Sequence, residues 1–95
     1  MALLNNTLLL VLLSKMSGIN LEILQEHRNY LIKPLSSLGE FKDFNPEKCC
    51  EIVHSIDDEF FSKIGVENDD EKLKFKARIF IILKEHWSNF NPNYF

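Results

Sequence analysis

Apolar side chains recur at spacings of three and four along most of this chain, and the clearest run is 45–65, NPEKCCEIVHSIDDEFFSKIG. Cys49, Ile52, Val53, Ile56, Phe60 and Ile64 draw one stripe, as on a helix with one buried face. Asn45 can accept from the free N–H groups of the first turn, and Pro46 suits the first helical position. Gly65 supplies a left-handed stop after Lys63. The pattern predicts a core helix over the whole stretch.

Upstream, residues 2–16 are apolar almost all round, which predicts a helix covered on several sides and ended near Ser17-Gly18. A second helix starts at Asn20, with Leu21, Leu24, Arg28 and Leu31 on one face. Pro34 should kink or restart it, because the ring removes a donor and crowds the preceding turn. A short piece then carries Leu35 and Leu38 to Gly39, and the connection Gly39–Phe44 follows.

Downstream, Asn68-Asp69-Asp70-Glu71 is a helix-start signal. The stretch from Glu71 to Trp87 fits two periods. Phe75, Ala77, Ile79 and Ile81 alternate with polar neighbours as on a half-buried strand, whereas Phe75, Ile79, Ile82, Leu83 and His86 share a helical face. A lone strand would leave its backbone groups unpaired, and about 17 residues without a turn is long for a strand. Helix is therefore favoured over 69–87. The tail SNFNPNYF should be irregular. The expected architecture is all-α: a single compact bundle of four to five helices over 1–88, with an irregular segment at 89–95.

Composition narrows the class. Of 95 residues, 45% are apolar and 26% charged, the profile of a folded globular chain. A net charge of −3 argues against a general nucleic-acid binder. Leu8–Leu13 is too tightly bounded by polar residues to span a bilayer, which needs about 20 apolar residues. A secretory signal should open with positive charge, and Met1–Thr7 has none. Cys49 and Cys50 are adjacent and poorly placed to bridge each other, so a reducing intracellular compartment is expected.

Candidate chemistry is sparse. Cys50 and His54 sit at i and i+4 and could offer two soft ligands, but structural zinc takes four. Asp57-Asp58-Glu59 should fan around a helix as a solvated face. No phosphate loop or nucleophile constellation is present. The expectation is a non-enzymatic chain with no cofactor and no metal. Lys72, Lys74, Lys76 and Arg78 could meet an acidic peptide or a phosphate backbone, or pair with the acids at 67–71. Phe44 stands just before the N-cap Asn45, where a hydrophobic staple sits. Phe41 is freer and could be a loop-tip anchor for a partner.

Taken together, residues 19–61, with Ile19-Asn20-Leu21, Gln25, His27, Leu38, Phe41-Lys42 and the helix at 46–61, resemble the N-terminal domain of transcription elongation factor S-II. They are similar also to its relative, the integrase-binding domain of lens epithelium-derived growth factor, with the match extending over about 9–64. The resemblance implies a nuclear, transcription-linked adaptor that binds short, partly disordered motifs with an apolar anchor and acids. Phe41 and Lys42 occupy the matching pocket positions, and the partner-binding set expected here is Phe41, Lys42, Lys72, Lys74, Lys76 and Arg78. A homodimer through the 69–87 helix is a further option. Two other classes stay open: a death-fold-like homotypic assembly domain, and a small acidic inhibitor or immunity-type protein.

Overall fold

Helix signals of three kinds set the element boundaries in a computed structural model that describes residues 2–89, with side chains over 7–88. The first is the left-handed glycine. Helix α1 (Ala2–Ser17) ends where Gly18 takes φ +76°, and Ser14 Oγ donates to the Ile19 carbonyl at 2.6 Å across the exit. Gly65 at φ +81° plays the same part after helix α5 (Asp58–Lys63).

The second signal is the side-chain N-cap. Asn20 accepts from the Glu22 N–H at 2.7 Å to open α2 (Leu21–Glu26), and Asn45 accepts from Lys48 at 3.0 Å to open α4 (Pro46–His54). Asn68 accepts from both Asp70 and Glu71 to open α6 (Asp69–His86), followed by a 3-10 turn over Trp87–Asn89. Each cap satisfies donors the helix cannot, worth about 1 kcal/mol.

The third signal overturns the single helix expected over 45–65. The chain breaks at Ser55–Asp57: Ser55 Oγ donates back to the Ile52 carbonyl at 2.6 Å, and Asp57 accepts from the Glu59 N–H at 2.9 Å as the N-cap of α5. Short polar side chains offer the backbone an alternative to the helix ladder, and here two of them act within three residues. The redirected α5 lies with Phe60 and Phe61 both fully buried, adjacent on the same short helix and packed on Phe75. Asp57-Asp58-Glu59 is exposed to solvent, as expected, and forms the cap and acidic first turn of α5.

The second expected helix is also divided, at His27–Arg28 and again just after Pro34, where the sequence suggests a restart. It stops at His27 and restarts as α3 (Asn29–Leu35), which contains Pro34. Pro34 has no N–H to give to this short ladder, and the α-helix ends one residue later, where the chain tightens into a 3-10 turn over Ser36–Glu40. Leu24 and Leu31, seven residues apart, are both fully buried on either side of the turn.

These breaks give six α-helices among the described residues, in place of four to five, and the fold is an all-α single domain. The stretch 73–83 is helical. The radius of gyration is 12.2 Å, near the roughly 12 Å of a compact chain of this length. α6 is the spine: α1 packs along it and α4 lies against it, while α2 rests on α1 and α3 on α4. The core gathers Leu9, Leu13, Leu24, Leu31, Leu35 and Leu38 with a cluster of Phe60, Phe61 and Phe75, whose ring centroids stand 5.3–5.8 Å apart. No polar or charged side chain is buried among the described residues. None of their helices is long and apolar enough to cross a membrane. The irregular tail expected at 89–95 lies, from 90 on, outside the described residues.

Candidate interaction surfaces

Phe44 is the hinge between the 41–47 loop and α6. It stands at the staple position just before Asn45, and its ring meets Phe80 and Trp87 edge-on, with centroids 5.5 and 5.9 Å away. The Trp87 indole N–H donates to the Lys42 carbonyl at 3.1 Å. Phe41 beside it is half-buried and packs on the core, and the Lys42 side chain is exposed. Residues 41–47 line a hollow of about 540 Å³, open to solvent and walled by that one stretch of chain. A ligand there would meet one cation, Lys42, beside two acids, Asp43 and Glu47, and the partly buried Phe41 and Phe44.

The basic residues of α6 do not converge. Lys72 lies 3.7 Å from both Asp58 and Asp69, tying the start of α5 to α6. Lys74 sits 3.3 Å from Asp70 and 3.6 Å from Glu71, and the Asp70 carboxylate, then Glu71, holds its ammonium above the usual lysine value. Lys76 reaches the other way, over the Phe61 ring at 5.6 Å and towards the His54 carbonyl at 3.4 Å. Arg78 lines a separate hollow with Ile19, Glu67 and Glu71. The acids of 67–71 and the turn after α4 absorb much of the charge that the sequence displays as one patch.

A third surface was not picked out by its residue types. Between α4 and α6 runs a hollow of about 350 Å³ lined by Cys50, Val53 and His54 on one side and by Leu73, Lys76, Ala77, Phe80 and Ile81 on the other. Its walls are almost wholly apolar. Leu73 is 59% exposed and Ile81 42%, although both are large aliphatic residues on a helix whose opposite side is in the core. The signal that could have found it was in plain view: Leu73, Ala77 and Ile81 recur every four residues, outside the stripe that Phe75, Ile79, Ile82 and Leu83 bury.

The adjacent thiols separate across the same helix. Cys49 is fully buried, and burial, reinforced by the neighbouring Cys50 thiol, pushes its pKa up to about 12. Such a thiol is protonated and inert. Cys50 is exposed at the rim of the hollow with His54. No group of three or more His, Cys, Asp or Glu side chains that could hold a metal ion occurs among the described residues.

The chain matches no protein-family model, no curated protein and no solved structure.

Proposed function

We propose that this chain is a non-enzymatic protein-interaction module, and that its docking surface is the hollow between α4 and α6. The observation that carries the reading is the exposure of Leu73 and Ile81 beside an apolar hollow large enough for the side chains of a partner segment. Exposed apolar side chains beside an apolar hollow, in a protein whose core is otherwise complete, support a binding role. The occupant is an amphipathic helical segment with apolar anchors three and four residues apart, laid into a groove between helices. Acids on such a segment would meet Lys76 at the rim. The resemblance of 19–61 to the S-II N-terminal domain points towards the same class of partner, and a nuclear adaptor role rests on it.

A library of displayed amphipathic-helix peptides tests this directly. Selected peptides should lose at least roughly tenfold in affinity against Ile81→Glu, with the helical circular dichroism unchanged. Against Phe41→Ala they should bind within about twofold. Peptides that bind Ile81→Glu as well as the parent, yet fail on Phe41→Ala, would move the site to the 41–47 loop and end this assignment.

A further inference from the structure

We infer that the segment this groove takes is α6 of a second copy of the chain, in a two-fold antiparallel pair centred on Ala77. The inference rests on the groove being a docking surface. It comes from the distribution of residues on the outer side of α6. At about 100° per residue, Asp70, Leu73, Ala77, Ile81 and Lys84 fall within an arc of about 80°. They are also arranged symmetrically along the axis: Leu73 and Ile81 stand four residues on either side of Ala77, and Asp70 and Lys84 stand seven on either side.

A two-fold axis through Ala77 therefore does three things at once. It sets the smallest side chain of the stripe against its own copy, where two helix backbones must come nearest, at about 8 Å between axes. It brings Leu73 of each copy beside Ile81 of the other, so each hollow receives the apolar side chains that are otherwise exposed. And it lays Asp70 of each copy near Lys84 of the other. Lys84 is exposed and has no ion pair among the described residues, while Asp70 is exposed and engages only Lys74. Opposite charges at both ends of an apolar stripe favour the antiparallel register over the parallel one, which would put Asp70 against Asp70 and Lys84 against Lys84. The helix dipoles and the acidic first turn, Asp69 to Glu71, favour the same direction, since each acidic N-terminus then lies by the other copy's Lys84 and His86. Such an interface is isologous and closes at two copies.

Sedimentation of the purified full chain under reducing conditions, up to about 1 mM, reads the outcome. Expected is a species of twice the chain mass of 11.2 kDa. Ala77→Glu should leave a monomer with unchanged melting and helicity, because Ala77 is exposed in the single chain. Asp70→Lys and Lys84→Asp should each weaken the dimer by roughly tenfold, since each turns two attractions into two repulsions. The double variant should return to within about twofold of the parent. A monomeric parent, a dimer indifferent to Ala77→Glu, a double variant no better than the singles, or an open series of larger species overturns the pairing. So does a chain ended after Asn89 that dimerises when the full chain does not, which would make residues 90–95 the occupant. A monomeric parent that still binds selected peptides through Ile81 would sink the pairing and leave the docking surface standing; loss of both would remove both.

Discussion

Phe75, Ile79, Ile82 and Leu83 lie on the side of α6 that joins the core, while Leu73, Ala77 and Ile81 lie on the side that stays open. Both sets are apolar, both repeat at helical spacing, and they share one backbone. What separates them is whether α1, α4 and the phenylalanine cluster reach them. The inner set holds the domain together. The outer set adds little to folding, since its surface is still in water when the chain has folded.

The sharpest way to break that contrast is to truncate one residue of the inner set. Phe75→Ala removes a ring packed against both Phe60 and Phe61, and should cost about 3–5 kcal/mol in urea unfolding. A smaller effect would mean that the cluster collapses around the void, and that inside and outside differ less than burial suggests.

The two thiols repeat the comparison on α4, and pH reads it. In the folded chain Cys49 keeps its proton up to about 12, whereas the unfolded chain releases it near the ordinary value of 9.0. Between those values the unfolded state binds fewer protons, so stability falls as pH rises; below 9 this group contributes no slope. The fall should be roughly 1 kcal/mol per pH unit across the window, and Cys49→Ala should flatten it relative to the parent. Equal slopes in parent and Cys49→Ala would show that this thiol is not sealed from water.

The smallest effect expected is on the outer set. Leu73→Ser, measured by urea unfolding at a concentration where the chain is monomeric, should change stability by no more than about 0.5 kcal/mol. A cost of 2 kcal/mol or more, on the order of a core truncation, would place Leu73 in the fold rather than on its surface.

The same contrast explains what the sequence showed and what it hid. The helix at 69–86 looked half like a strand because its two apolar stripes lie on nearly opposite sides of the axis. Odd-numbered positions from 75 to 83 are then mostly apolar, which imitates a period of two. The N-caps at Asn20, Asn45 and Asn68 and the glycine stops were legible, since each acts on its own first or last turn. The breaks at His27–Arg28 and Ser55–Asp57 were not. The stripe over 49–64 continues at helical spacing across the turn, so its period does not mark the bend, which is made locally by the Ser55 and Asp57 side chains. Phe41 and Lys42 drew attention as a loop tip, but the structure seats Phe41 partly on the core and ties the Lys42 backbone to Trp87. The α4–α6 hollow drew none, because aliphatic residues at helical spacing read as interior until a structure shows that nothing lies over them.

Trp87 is the only tryptophan in the chain, and its indole is fastened to the Lys42 carbonyl beside the Phe44 ring. The protein thus carries a built-in optical probe at one seam, where the close of the long helix meets the 41–44 connection. Detachment of that seam would alter emission before the far-ultraviolet helical signal moved, so comparing the two signals during denaturation separates a loosened joint from a melted domain.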